Sequence, residues 1–237
     1  MFVPVHDDNP LRHIARPYVT WGLMALTCAI FLMQTSPDGQ RAAASFAVVP
    51  LELFRVGIFG GAAMGPHDAW PVPERYTLVS YMFLHGDVAH LIGNMAFLWV
   101  FGDNVEDALG HLKFALFYIA CGIAGGLAHA LMLPVSPLPL IGASGAVAGV
   151  IVAYLILYPQ VRVWVLAMRF IPLRITALFA LGAWVASQFA MLAIPYIVPG
   201  AKIGPISCWA HIGGIAAGAL LVLAMRRADP AGPRVVR

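Results

Sequence analysis

Six long apolar runs separated by short polar connections leave this chain few ways to fold. They lie near Tyr18–Gln34, Leu78–Phe101, Phe114–Leu133, Ser144–Tyr158, Ile175–Val198 and Ser207–Met225. Hydrocarbon offers no partner to a backbone N–H or C=O, so a segment crossing about 30 Å of it must satisfy those groups internally, as a helix does. Of the 237 residues, 61% are hydrophobic and 11% charged, with a mean hydropathy of +0.83; an ordinary soluble domain has roughly 25% charged residues. The expected fold is an all-α membrane protein. A single six-transmembrane-helix domain fills residues 1–237, with short tails at about 1–17 and 226–237.

The placement of charge matters more than its sum. A net charge of +3 is too small and too dispersed to suggest a nucleic-acid partner. Arg12, Arg16, Lys113, Arg162, Arg169, Arg174, Arg226, Arg227, Arg234 and Arg237 fall before the first run, after the last, or in loops expected on that same side. The opposite side holds Arg41, Arg55, Arg75 and Lys202. Basic residues favour the cytoplasmic side, which places both termini there and demands an even number of spans. An inner bacterial membrane is the expected location, and the lipid bilayer a permanent partner. The first run lacks a small-residue cleavage site before it and reads as a retained helix rather than a signal peptide. Cys28, Cys121 and Cys208 sit in or beside apolar runs without CxxC spacing, so they read as packing residues.

Two connections differ from simple turns. Residues 35–77 form a long outer loop between the first two helices, carrying apolar stretches such as Val48–Phe54 and Val56–Phe59 suited to lie in the membrane interface. The second connection, Pro134–Ala143, is proline-rich and uncharged, and leads into a fourth run too short to span. That helix must start below the outer surface, where non-helical backbone is tolerated only if protein or a water-filled cavity surrounds it. Ser144 stands at that start, within Leu140-Ile141-Gly142-Ala143-Ser144-Gly145-Ala146-Val147-Ala148-Gly149. A hydroxyl there lies at the positive end of a helix dipole, beside amides with no intrahelical partner, as a nucleophile with its oxyanion site would. Equally, Ser144 would serve as a helix N-cap while Gly145 and Gly149 form a close-packing GxxxG pair.

Polar residues elsewhere weigh on that choice. In the second run His90 and Asn94 are spaced i, i+4 on one helical face, with His85 about 140° round from His90. In the sixth, His211, Gly214 and Gly218 share a face. The second, fourth and sixth helices run in the same direction and each carries its polar group in its N-terminal half, so the three groups share a membrane depth. Imidazole and carboxamide groups in hydrocarbon are costly and mark function. Asp87, at i−3 from His90, points towards the outer surface, and His129 has no motif partner and reads as structural.

The ordered set Gly142-Ala143-Ser144-Gly145, His85 with His90 and Asn94, and Ala210-His211-Ile212-Gly213-Gly214 resembles the rhomboid intramembrane serine proteases in order and spacing across nearly the whole chain. The resemblance implies a six-helix rhomboid-like bundle and a Ser144–His211 catalytic dyad. It also implies an oxyanion hole of Asn94, His90 and the Ser144 backbone N–H. No cofactor and no metal are expected, and the partners are transmembrane protein substrates. Many members carry an aromatic residue four after the serine, packed on the histidine, where this chain has Ala148; another side chain must orient His211. Thr77 stands where members often have arginine, and Glu106 matches a family acid read as structural. A rival is a metal-dependent hydrolase or transporter with His85, His90, His211 and Cys208 as ligands. A second is an inactive rhomboid-like protein that binds membrane clients.

Overall fold

The computed structural model describes residues 2–57, 60–62, 65, 68–167, 170–197 and 208–227. Ile58 and Phe59 of the outer loop, Arg169, Lys202, Arg234 and Arg237 lie outside them. The elements in chain order are β1 (Phe2–Asp7), α1 (Tyr18–Gln34), α2 (Pro37–Ser45), α3 (Pro50–Val56), α4 (Glu74–Ser80), a 3-10 turn at Tyr81–Phe83, α5 (Val88–Leu109), α6 (His111–Met132), α7 (Ser144–Leu157), β2 (Arg162–Ala167), β3 (Ile171–Thr176), α8 (Ala177–Ile197) and α9 (Cys208–Met225).

The chain is mostly helical, as its apolar runs predict, but it is not purely α. β1, β2 and β3 form an antiparallel sheet in that order. The tail expected before the first helix thus contributes a strand, and the loop between the fourth and fifth runs is a hairpin. In β2, Val163 and Val165 are buried while Arg162 and Trp164 face outward, the period-two alternation of a half-buried strand. Both outer strands carry a proline, Pro4 and Pro172, which edge strands tolerate because a missing N–H costs no ladder bond on the open side.

A second difference lies in the run Leu78–Phe101, expected as one helix. It is broken: α4 ends at Ser80, and α5 begins only at Val88, where Asp87 caps it by accepting the His90 N–H at 2.8 Å. From there α5 continues past Phe101 to Leu109. The long connection 35–77 holds α2, α3 and the start of α4.

Among the described residues, α6, the Ala177–Ile194 part of α8 and α9 are long and apolar enough to cross a membrane, and α1 with α2, bent by 119° to each other, would make a fourth span. α7 is apolar but has only 14 residues, roughly 21 Å at 1.5 Å per residue. It is the centre of the molecule, buried without interruption from Gly145 to Tyr154.

Glycine makes that burial possible. A Cβ on Gly214 of α9 would fall 1.9 Å from the Gly145 carbonyl oxygen, and one on Gly218 2.6 Å from the Gly149 Cα. On α6, a Cβ at Gly125 would lie 2.8 Å from the Ala210 carbonyl oxygen. Three backbones therefore meet where side chains would hold them apart, as small residues allow between helices in lipid. The close-packing reading of Gly145 and Gly149 is correct, and the packing carries Ser144 and His211, the neighbours of Gly145 and Ala210, along with it.

Candidate functional site

The approach to Ser144 is pinned at two points. Leu140 exchanges both backbone hydrogen bonds with Val48, donating at 2.8 Å and accepting at 3.1 Å. Two residues on, the Gly142 N–H donates to the Tyr81 carbonyl at 2.9 Å. Gly142 has φ +119°, and a Cβ there would lie 2.6 Å from the His90 ring. Only glycine combines that backbone with that neighbour, and the exclusion brings the imidazole of His90 against the turn that opens α7. Ser144, half-buried, is then the first residue of the helix. The amides of this first turn have no intrahelical acceptor and concentrate the positive end of the helix dipole beside the hydroxyl.

On α5 the Asn94 amide donates from Nδ2 to His85 Nε2 at 3.1 Å and to the His90 carbonyl at 3.2 Å. The carbonyl can only accept, so this atom is the amide nitrogen, and His85 Nε2 must accept in turn. The proton of neutral His85 therefore sits on Nδ1, which is buried without a hydrogen-bond partner among the described residues. The His85 and His90 rings meet edge to face with centroids 5.0 Å apart. Asp87 is engaged as the helix cap, its Oδ1 accepting the His90 N–H.

His211 is buried in the first turn of α9. Its Nδ1 lies 2.7 Å from Gln188 Oε1, and its ring packs against Trp184 with centroids 5.7 Å apart. Both partners come from α8. The Gln188 Nε2 donates to the Trp184 carbonyl at 3.3 Å and to Ser187 Oγ at 3.1 Å, which turns the amide oxygen towards His211. An amide oxygen only accepts, so His211 carries its proton on Nδ1 and leaves Nε2 with a free lone pair.

Gln188 and Trp184 thus orient His211, a role for which the sequence alone offered no residue, and Trp184 packs against the small cluster that contains Ala148. A signal existed: Gln188 is the one carboxamide in the fifth apolar run, and a polar amide in such a run needs a partner. The structure brings Ser144, His90 and Gly142 together at one turn, and joins Asn94 to His85 and His90. Ser144 and His211 share the Gly145–Ala210 backbone contact, with no hydrogen bond between their side chains among the described residues. Cys208 is a buried free thiol, and among the described residues no group of three or more His, Cys, Asp or Glu side chains is placed to hold a metal.

Fold and cluster define a helical membrane protein in which a serine, three histidines and an asparagine gather at one end of the inner helices. The chain belongs to the rhomboid family, whose Rhomboid domain matches residues 72–228. It is 28% identical over 145 residues to RHOMBOID-like protein 6, mitochondrial, of Arabidopsis thaliana (61% of this chain, 42% of that one). It is 40% identical over 82 residues to Rhomboid protease GluP of Bacillus subtilis (35% and 16%), and 33% identical over 147 residues to Rhomboid-related protein 2 of Mus musculus (61% and 46%). The chain therefore spans less than half the length of each of these relatives.

Proposed function

We propose that this protein is an intramembrane serine endopeptidase that cuts the transmembrane or juxtamembrane segments of other membrane proteins. The observation that carries the reading is the hydrogen bond from His211 Nδ1 to Gln188 Oε1. It leaves Nε2 basic on a helix whose backbone touches that of α7 one residue from Ser144. His211 Nε2 would take the Ser144 Oγ proton as the hydroxyl attacks the scissile carbonyl, and return it to the leaving amine. The developing oxyanion would be met by the Ser144 backbone N–H, the His90 ring and the Asn94 amide. Asn94 already spends both N–H groups; exchanging its 3.2 Å bond to the His90 carbonyl for the oxyanion frees one at little cost.

The same proposal includes six spans, α1, α5, α6, α7, α8 and α9, with both termini cytoplasmic in an inner bacterial membrane and the site opening outward beneath the 35–77 loop. The His90 and Asn94 side chains lower the hydropathy of α5, and the depth of Ser144 shortens α7, so function itself would blur the span signal in two helices. A fluorophosphonate probe, which reacts only with an activated serine, tests the reading in detergent. Labelling of the wild type and none of Ser144→Ala is expected; an unlabelled wild type would sink it.

A further inference from the structure

His211 is held by a helix less buried than its own. Its orienting partners stand on α8, of whose span only 22% is buried, against 50% for α6 and 39% for α9. We infer that Gln188 is a positioning residue that makes His211 a base only while α8 is seated against α9. The inference rests on the proteolytic reading above.

A neutral imidazole has two tautomers, and only the one with its proton on Nδ1 offers Nε2 to a serine hydroxyl. Gln188 selects that tautomer because its oxygen accepts and cannot donate, and the orientation of its amide is fixed by its own bonds to Trp184 and Ser187. Trp184 restrains the ring plane from the same helix, and its indole reaches back to Phe97 of α5 with centroids 6.1 Å apart. When the imidazole gains the Ser144 proton, both nitrogens become donors, and Gln188 still accepts from Nδ1 without taking the proton. Moving α8 away removes acceptor and ring contact together, leaving a buried imidazole with neither tautomer nor orientation set. Among the described residues the one titratable group that bears electrostatically on His211 is His90 of α5; α6 and α7 offer Gly125 and Gly145 beside the Ala210 carbonyl, and the Tyr81 hydroxyl of the 3-10 turn donates to the Gly122 carbonyl. Among the described residues no carboxylate competes with Gln188 for Nδ1.

Two substitutions test this on purified full-length protein, with fluorophosphonate labelling rates and cleavage of a model transmembrane substrate read across pH. Gln188→Leu keeps the bulk and removes the acceptor. Its turnover should fall roughly 100-fold, the scale of a misplaced catalytic group, while KM does not rise. Gln188→Glu keeps an acceptor but adds charge that favours the imidazolium, so the acid limb of its rate profile should move up by about one unit or more, with activity lost at neutral pH and recovered as pH rises. That shift separates positioning from mere packing, and it remains readable if Gln188→Leu fails to fold. A labelled wild type with Gln188→Leu at full turnover, a change confined to KM, or a Gln188→Glu profile superimposable on the wild type would overturn the inference and leave the protease reading standing. An unlabelled wild type would fail the reading itself.

Discussion

The paired acids of α5 and the cluster around Ser144 treat their polar groups in opposite ways. At the sheet end, Glu106 and Asp107 are saturated. Glu106 on α5 accepts from the Val19 and Thr20 amides at 3.0 and 2.8 Å, from the Thr20 hydroxyl at 2.7 Å and from His111 Nδ1 at 2.5 Å. It thereby supplies the start of α1 with the acceptor that Pro17 cannot. Its neighbour Asp107 gathers the amides of Arg12, His13 and Ile14 and the His13 ring. At the Ser144 end, hydrogen-bonding capacity is left over: among the described residues the buried His85 Nδ1 has no partner and the half-buried Ser144 makes no side-chain hydrogen bond, while Asn94 holds its two acceptors at 3.1 and 3.2 Å. Full satisfaction is what stability asks of a buried polar group. Spare capacity is what a reacting substrate needs, so one end reads as scaffold and the other as workplace.

The sharpest break of this contrast is at the workplace. Ser144→Ala and His211→Ala should each lower cleavage by roughly ten-thousand- to million-fold, and the double variant should fall no further, because groups acting in one step lose the same step when either goes. A double variant slower by the product of the two effects, in the same reconstituted assay, would show that they act apart. Asn94→Ala should follow with a loss of roughly 100- to 1000-fold in turnover, the usual effect of removing one oxyanion donor. Its melting temperature should stay near that of the wild type, and unchanged cleavage would remove Asn94 from the site.

The scaffold should respond the other way round. Glu106→Ala strands two backbone amides and a hydroxyl at the start of α1 and should cost roughly 3–5 kcal/mol of stability, as removal of one partner from a buried charged network does. Activity per folded molecule should hardly move. Unfolding in mixed micelles measures the first and probe-titrated turnover the second; a stable but inactive Glu106→Ala would erase the division between the two ends.

That division was only half legible in the sequence. The apolar runs located α1, α6, α7, α8 and α9 to within three residues at each end because hydropathy is a local property of a chain in lipid. The residues His85, His90, Asn94, Ser144 and His211 could be singled out because polar side chains in such runs are expensive. Three things could not be read with the same ease. The sheet pairs Phe2 with Ala167, and no local pattern announces a partner so distant along the chain. The break before α5 was signalled by Gly86-Asp87, a turn and cap inside an otherwise apolar stretch, yet hydropathy averaged over it. Gln188 was visible as a residue but not as a partner, since its role depends on the rotation of α8 about its axis, which brings its amide to His211.

The smallest expected effect belongs to Asp7, where the scaffold end is least settled. Asp7 sits on β1, buried, hydrogen-bonded to the Tyr154 hydroxyl of α7 and accepting from Asn104 Nδ2 at 3.2 Å. Burial pushes its carboxyl up to about 7 from an ordinary 3.8, against the lowering effect of the Tyr154 bond. A raised carboxyl pKa means that the folded protein holds this proton more tightly than the unfolded chain does. The stabilisation is complete below the unfolded value of 3.8 and declines as pH rises towards about 7, above which it is gone. The docking of β1 on α7 should therefore loosen as pH climbs through that window. Asp7→Asn keeps an acceptor for Tyr154 and cannot ionise, so its stability should change less between pH 4 and pH 8 than that of the wild type, the two curves diverging by about 1–3 kcal/mol at the alkaline end, in favour of the variant. Thermal unfolding in detergent at a series of pH values, with both proteins compared at each, measures the divergence. Parallel curves would mean that Asp7 is ionised throughout and that the sheet end is as fully settled at Asp7 as it is at Glu106.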